Sequence, residues 1–274
     1  MAKYDIGVLV SLNNEPEKNI KLVSDFGLQS CQVCSWDPDV WNDENGEKMV
    51  ATCKEYGVKI STFWAGYTGP CTWNFTEGPE TIGLVPAEFR DNRVKELKQA
   101  ADFAAKFGLP SITTHVGFLP EDPKDQLYID TVEALKEICS HCNDLGIDFL
   151  FETGQETPVT LLRTIERIGL DNVGINLDTA NVILYGKGNP VDSLDVFGKY
   201  VRDLHIKDGF FPTDGDNLGK QVPLGEGKVD FKAVIDGLKE LGYTGPLTIE
   251  CECGGKDNQN KLIQSAIDML EPLR

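Results

Sequence analysis

Four acidic or imidazole side chains stand at the ends of four successive β-type runs of this chain: Glu152, Asp178, His205 and Glu250. Three carboxylates gathered without a cation repel one another and raise their own pKa values, and a bound divalent ion removes that repulsion. Three oxygen donors with one imidazole suit Mn²⁺ best, with Mg²⁺, Co²⁺ or Zn²⁺ as alternatives. The four residues therefore predict a metal site. The alternative interpretation is that each is a separately paired polar residue at a strand end.

The run Val201–Gly209 shows the pattern most clearly, because its apolar residues alternate with Asp203, His205 and Lys207. Side chains two residues apart on a strand point to the same face, so the three polar residues share one face. His205 is the nitrogen donor of the predicted metal site. Lys207 either polarises a substrate oxygen or forms an ion pair with Asp203 or Asp178.

A recurring local pattern predicts the elements that position these residues. An amphipathic stretch is followed by an aromatic or aliphatic residue, a glycine and an apolar run. The glycines of the pattern are Gly27, Gly57, Gly108, Gly146, Gly169 and Gly242, with a looser copy at Gly198. Glycine just past a helix end commonly takes the left-handed conformation, so each copy predicts a helix end followed by a strand.

The apolar runs predict eight strands: 6–10, 31–35, 59–63, 111–116, 147–151, 173–177, 201–206 and 246–251. Helical spacing lies between them, most clearly at 87–107, 125–145, 158–168, 231–241 and 258–270. Alternating strands and helices indicate an α/β protein with a parallel sheet. Eight such units, without a glycine-rich phosphate loop, favour a closed (β/α)8 TIM barrel over an open doubly wound sheet. Functional groups of such barrels lie at the C-terminal ends of the strands.

The chain shows no composition break, so we expect one domain over residues 1–274, with the irregular segment 209–229 as a loop over the active face. Its net charge of −18 disfavours nucleic-acid partners. With only three histidines it also lacks the zinc ligands of a DNA endonuclease. No apolar signal region or membrane-length apolar stretch occurs, so we expect no membrane partner and a cytoplasmic location.

Eight cysteines include two Cys-x-x-Cys spacings, Cys31/Cys34 and Cys139/Cys142, which can indicate zinc or redox chemistry. Free cysteines of cytosolic proteins are more often small buried apolar residues. We therefore interpret them as packing residues.

The chain resembles the sugar phosphate isomerase/epimerase proteins of the xylose-isomerase-like TIM-barrel superfamily over nearly its whole length. The resemblance is carried by Thr114-His115-Val116-Gly117, Glu152-Thr153-Gly154-Gln155-Glu156, Asn176-Leu177-Asp178-Thr179-Ala180-Asn181, His205-Ile206-Lys207-Asp208 and Pro223-Leu224-Gly225-Glu226-Gly227. It implies that Glu152, Asp178, His205 and Glu250 are the metal ligands. It also implies that His115 is a pocket histidine at the end of the fourth strand, against the alternative of a core histidine.

In the ketose 3-epimerases of this family, one glutamate removes a proton and another returns it on the opposite face. The resemblance gives these catalytic roles to Glu152 and Glu250, with an enediolate between the two transfers. Return of the proton to the neighbouring carbon would instead isomerise an aldose and a ketose. A metal-dependent lyase or dehydratase acting on a keto-sugar or keto-glycoside, and a non-catalytic sugar-binding barrel, are the alternatives. The expected partner is a small sugar, and a homo-oligomer stays open.

Two departures from the ketose 3-epimerases concern the substrate. Asn181 stands where those enzymes have a histidine, and Phe210 and Phe211 stand where they have an arginine. Both residues hold the ketose in those enzymes, so the resemblance supports the metal site more strongly than a free ketose. No cluster of arginine and lysine residues marks a phosphate pocket.

The remaining pocket candidates lie at strand ends or in the loops that follow. Trp64, together with Trp36 and Phe118, is placed where a sugar ring would meet an aromatic surface, although aromatic residues there are also ordinary packing. Glu156 and Glu226 contact substrate hydroxyls or are solvated loop acids. Asn181 and Lys207 complete the predicted substrate contacts.

Overall fold

The computed structural model describes residues 3–274. Eight parallel strands form a closed barrel. In the order of the chain they are β1 (Ile6–Ser11), β2 (Ser30–Ser35), β3 (Lys59–Ala65), β4 (Ser111–Thr114), β5 (Asp148–Glu152), β6 (Val173–Asp178), β7 (Val201–Ile206) and β10 (Leu247–Ile249). A short antiparallel pair, β8 (Asp208–Gly209) and β9 (Gln221–Val222), lies in the segment between β7 and β10. The predicted (β/α)8 barrel is confirmed.

Helices connect the strands on the outside. They are α1 (Pro16–Asp25), α2 (Asp43–Tyr56), α3 (Gly78–Thr81), α4 (Ala87–Lys106), α5 (Gln126–Asp144), α6 (Pro158–Ile168), α7 (Asn181–Leu184), α8 (Pro190–Phe197), α9 (Phe231–Glu240) and α10 (Lys256–Leu270). Two single 3₁₀ turns cover Pro38–Val40 and Gly198–Tyr200. No helix among residues 3–274 is long and apolar enough to cross a membrane.

Local sequence explains where the helices begin and end. The side chain of Thr157 accepts a hydrogen bond from the Thr160 amide, and Pro158 follows at the first helical position of α6. The six glycines of the recurring pattern all have positive φ, from 67° to 78°. The looser copy is wrong as a left-handed cap, because Gly198 has φ −54° and begins the 3₁₀ turn that leads into β7.

The strands are buried on both sides, as expected for a parallel sheet covered by helices. β5, β6 and β7 are adjacent in the barrel, with Asp178 opposite His205 and Glu152 opposite Asn176. β10 follows β7, and Thr248 lies opposite His205. This order brings the C-terminal ends of four consecutive strands together. The eight cysteines are all free, and Cys31, Cys139 and Cys142 are buried.

Asp208 organises the segment that follows β7. Its carboxylate accepts hydrogen bonds from the amides of Gly209, Gly225, Gly227 and Val229, at 2.8 to 3.1 Å. A Cβ on Gly227 would lie 2.1 Å from that carboxylate, so no other residue fits this close approach. The Pro223–Gly227 motif therefore folds around the acid that ends the His205–Asp208 motif.

Candidate metal centre and sugar pocket

The four predicted metal ligands converge at the C-terminal end of the barrel. One ligand atom from each of Glu152, Asp178, His205 and Glu250 lies within 4.8 Å of the other three, and all four residues are buried. His205 Nδ1 is 2.9 Å from both Glu152 Oε1 and Glu250 Oε2, and 4.0 Å from Asp178 Oδ2. One nitrogen and three carboxylates thus face a common point.

The electrostatics of the cluster show how these charges are balanced. Burial alone would lower the pKa of His205, but the charges of Glu152 and Glu250 raise it well above its usual range. Burial would raise the pKa of Glu250, yet Lys207 and His205 hold it well below its ordinary value. Burial raises the pKa of Asp178, and the nearby carboxylates add to this effect although Lys207 opposes it. A protonated His205 and Lys207 therefore supply the positive charge when no cation is bound.

The cluster fits a divalent ion. Asp178 Oδ1 accepts the amides of Ala180 and Asn181 at 2.8 and 2.7 Å, which fixes the carboxylate, but its Oδ2 is buried without a hydrogen-bond donor. Glu250 Oε2 is also buried and lies 2.9 Å from His205 Nδ1, which Glu152 Oε1 approaches equally closely. Buried polar atoms are nearly always satisfied, so an unpartnered Asp178 oxygen beside two carboxylates that share one imidazole suits a cation. Oxygen-rich sites with one imidazole suit Mn²⁺ or Mg²⁺.

Gln32 orients the imidazole from below, and its role was not anticipated from the sequence. Its side-chain amide donates to Asn176 Oδ1 at 3.0 Å and to the Leu204 carbonyl at 3.3 Å. Its oxygen therefore faces His205 Nε2, at 2.7 Å, and accepts the proton there. Histidines that bind metals usually donate their other ring N–H in this way. The tautomer so fixed leaves Nδ1 as the nitrogen directed at the three carboxylates.

A cavity of about 320 Å³ opens above the cluster. Glu152 and Glu250 line it, whereas Asp178 and His205 lie behind them. The predicted contacts His115, Asn181, Lys207 and Trp64 also line it. Trp36 lines the cavity as expected, but Phe118 packs instead against Tyr185 with ring centroids 5.8 Å apart. Cavity residues that sequence reasoning missed include Trp73, Tyr185, Leu184 and Leu218.

His115 and its neighbours surround the free side of Glu152. His115 Nε2 is 3.6 Å from Glu152 Oε2, and the Trp64 indole N–H donates to the same oxygen. The Gln155 amide nitrogen is 3.3 Å from His115 Nδ1. Burial lowers the pKa of His115, although Glu152 opposes the shift. A neutral imidazole whose Nε2–H faces the carboxylate follows from these contacts.

Asn181 and Lys207 contact the carboxylates directly. The Asn181 amide donates to Glu152 Oε1 at 3.4 Å. Lys207 Nζ lies 3.0 Å from Glu250 Oε1, 3.0 Å from Glu252 Oε2 and 3.6 Å from Asp178 Oδ2. Of the two ion pairs considered for Lys207, the structure shows the contact with Asp178.

The structure corrects one interpretation of Glu156. This residue is only 2% exposed, so it is not a solvated loop acid. Neither carboxylate oxygen has a hydrogen-bond partner, and burial raises its pKa to about 8. It is also absent from the residues that line the cavity. Glu156 is therefore a buried acid outside the cavity lining, and its raised pKa favours the protonated form at neutral pH.

Comparison with known proteins agrees with the fold. The sequence model of the xylose isomerase-like TIM barrel family matches residues 20–273. The chain belongs to this family. A xylose isomerase domain protein from Planctomyces limnophilus has 34% sequence identity and a TM-score of 0.92, with 100% of this chain and 98% of that chain covered.

Two further relatives have names that describe a reaction. The structure of a D-allulose 3-epimerase from a Methylomonas species shares the fold at 16% identity, with a TM-score of 0.75 over 100% of this chain and 99% of that one. An inosose dehydratase from Lacticaseibacillus casei is 24% identical over 139 residues, which are 43% of this chain and 45% of the dehydratase. The chain spans at most about two thirds of the curated relatives that it matches.

Proposed function

We propose that this protein is a divalent-metal-dependent sugar epimerase or isomerase that works through an enediolate. The observation that carries the proposal is the buried convergence of Glu152, Asp178, His205 and Glu250, with the Oδ2 atom of Asp178 unpartnered, at a cavity of about 320 Å³. Mn²⁺ is the preferred ion by donor type, with Mg²⁺, Co²⁺ or Zn²⁺ as alternatives. When bound, the ion supplies positive charge that acidifies the C–H next to a substrate carbonyl.

Glu152 and Glu250 are the two residues of the cluster that face the cavity, so we assign the proton transfers to them. One carboxylate removes a proton from the substrate carbon, and the other returns it to the opposite face. His115 and Trp64 hold the Oε2 atom of Glu152 from the cavity side. Lys207 holds Glu250 Oε1. Each carboxylate therefore keeps a fixed direction during the transfer.

His115, Asn181 and Lys207 place polar hydrogens along the same cavity, where they would bind the hydroxyl and carbonyl oxygens of a sugar. Asn181 is shorter than the histidine found in the ketose 3-epimerases, so the substrate need not be a free ketose. A cytoplasmic location agrees with this small-molecule chemistry.

A dehydratase is the second candidate, and the similarity to inosose dehydratase favours it. Both reactions begin with the same proton removal at Glu152 or Glu250. The dehydratase then expels the hydroxyl group on the neighbouring carbon, which leaves as water after taking up a proton, whereas the epimerase returns the proton to carbon. The products separate them, because the dehydratase gives an unsaturated product and the epimerase gives an isomer that carries solvent deuterium.

The test is metal analysis of the purified protein, followed by deuterium wash-in over a panel of ketoses and keto-glycosides with added Mn²⁺. We expect exchange of at least one of them in the wild type and its loss in Glu152→Gln and Glu250→Gln. Glu133→Gln is the matched control, because its side chain is 65% exposed, contacts Lys136 on α5 and does not line the cavity. No metal binding together with no metal-dependent exchange, or full turnover in either cluster variant, would refute the assignment.

A further inference from the structure

Three neighbouring tryptophans line the cavity beside the metal cluster, and the ring of Trp73 also lies 5.3 Å from that of His115. We call Trp64, Trp36 and Trp73 the aromatic wall. Trp64 contacts Glu152 at the inner end, and the ring of Trp36 lies 4.8 Å from that of Trp64 and 6.1 Å from that of Trp73. Trp64 is 5% exposed, whereas Trp36 and Trp73 are 38% and 42% exposed. Two adjacent indoles open to solvent at a pocket mouth typically mark a binding surface.

The aromatic wall is held in place by its surroundings. The Trp36 indole lies over Gly66, where a Cβ would come within 2.4 Å of the ring. The segment between β3 and α3, which carries Trp73, is anchored by the fully buried Arg93. Its guanidinium donates to the carbonyls of Pro70 and Gly83 at 2.9 and 2.6 Å. Trp73 is therefore presented on a fixed backbone.

Aliphatic residues add to the apolar lining of the cavity. Leu184 and Leu218 line it, and the segment that contains Leu218 is joined to the Trp73 segment by a hydrogen bond from the Phe75 amide to the Asp216 carbonyl at 3.0 Å. Indoles and leucines therefore line the same cavity as the two glutamates of the metal cluster. Such a lining fits a ring with an apolar face.

Charge is confined to the inner end of the cavity. The charged residues that line it are Glu152, Glu250, Glu252 and Lys207. The Lys207 ammonium is 3.0 Å from both Glu250 and Glu252, so it is already paired. No arginine and no second lysine line the cavity in the part of the chain that the structure describes. A phosphate on the outer part of a substrate would meet no cation there.

We propose that the substrate is an uncharged keto-glycoside, a glycoside whose reacting ring carries a ketone, rather than a free monosaccharide or a sugar phosphate. Its reacting sugar occupies the inner end beside Glu152 and Glu250, and its second ring or aglycone stacks on Trp36 and Trp73. The inference rests on the proposed function for the inner end. The aromatic wall then determines specificity by selecting substrates that extend past the first ring.

The test is calorimetric binding to the Mn²⁺-saturated protein of the phenyl and methyl glycosides of D-glucose, D-galactose and D-mannose, each with one ring hydroxyl oxidised to a ketone, with fructose 6-phosphate as the charged probe. We expect at least one phenyl glycoside to bind about tenfold tighter than its methyl counterpart, which is about 1.4 kcal/mol of stacking. Trp73→Ala should remove most of that ratio, with a smaller loss for the methyl glycoside because the ring of Trp73 also packs against His115. Trp73→Phe is the matched control, because it keeps an aromatic face and most of the ratio.

Several outcomes would overturn the proposal. These are equal affinity for phenyl and methyl glycosides in the wild type, no measurable binding of either, or tightest binding of the phosphate. An equal loss for both glycosides in Trp73→Ala would show that Trp73 only supports the fold. A separate Mn²⁺ titration decides the proposed function, because a protein that binds no metal and still prefers phenyl glycosides refutes the catalytic assignment alone.

Discussion

Gln32→Leu should weaken metal binding although Gln32 touches no predicted ligand oxygen. Gln32 is fully buried inside the barrel, and its oxygen is 2.7 Å from His205 Nε2. Leucine fills a similar volume but cannot accept that proton. The imidazole then loses the contact that fixes its tautomer, and its Nε2–H is left buried and unsatisfied. Loss of such a partner typically lowers metal affinity about 10- to 100-fold, or about 1.4 to 2.7 kcal/mol.

The assay is calorimetric titration of Mn²⁺ into the metal-free protein. Gln32→Glu restores an acceptor for Nε2–H, so it should recover most of the affinity lost in the leucine variant. Thr248→Val is the matched control. Thr248 lies opposite His205 in the barrel, is fully buried and has an unpartnered hydroxyl, so its replacement should leave the affinity within twofold.

Weaker metal binding could come from a destabilised fold or from a misoriented His205 imidazole, and the two causes must be distinguished. Urea unfolding in EDTA reports the stability of each variant without metal, and the comparison uses only variants that unfold cooperatively. The chain has three histidines, so ¹⁵N spectra of the Mg²⁺-loaded protein can resolve the His205 ring and should show the proton on Nε2. Wild-type Mn²⁺ affinity in a folded Gln32→Leu protein would refute the reasoning.

Three further predictions concern buried charge and the loop over the barrel. Burial raises the pKa of Glu156 to about 8 in the folded protein, against about 4.5 for an exposed glutamate. As the pH rises, this carboxyl therefore ionises in the unfolded chain before it ionises in the folded protein. The free energy of unfolding falls over this range, by about 4 kcal/mol at pH 8. Glu156→Gln should therefore gain stability relative to the wild type from pH 5 to pH 8 in urea unfolding, and a difference independent of pH would contradict this. Lys207→Met removes one of the two buried cations of the cluster and leaves Glu250 with His205 alone, so the free energy of unfolding in EDTA should fall by about 3 kcal/mol. Saturating Mn²⁺ should reduce that loss of stability. An equal loss with and without Mn²⁺ would contradict the idea that Lys207 and the metal ion balance the same carboxylates. Asp208→Ala removes the acceptor of four backbone amides, so limited proteolysis within residues 209–229 should be at least tenfold faster, whereas cleavage at an unchanged rate would show that the loop is held by other contacts.

The barrel and the metal cluster could be predicted from sequence because both follow from rules that repeat along the chain. Six glycines correctly predicted the C-terminal ends of six helices. The alternation along β7 correctly predicted that Asp203 and His205 share a face, and both are buried. The ends of adjacent parallel strands must lie side by side, so the proximity of residues at those ends can be predicted even when the loop conformations are unknown. Gly198 failed because a 3₁₀ turn replaces the left-handed cap there.

The site residues that could not be predicted from the sequence are brought there by tertiary contacts, which leave no local sequence pattern. Gln32 lies in the middle of β2, and only closure of the barrel brings it beneath His205, 173 positions away. Trp73 lies in an irregular segment whose path depends on Arg93, which comes from α4. The alternation of residues along β7 correctly predicted the face on which Lys207 lies, but it could not predict which carboxylates its ammonium contacts. The end of β10 delivers Glu250 and Glu252 to its ammonium, and Asp203 remains deeper in the barrel beside Gln32. Strand periodicity therefore identifies the groups that bind the metal, whereas the groups that orient them and select the substrate depend on tertiary contacts.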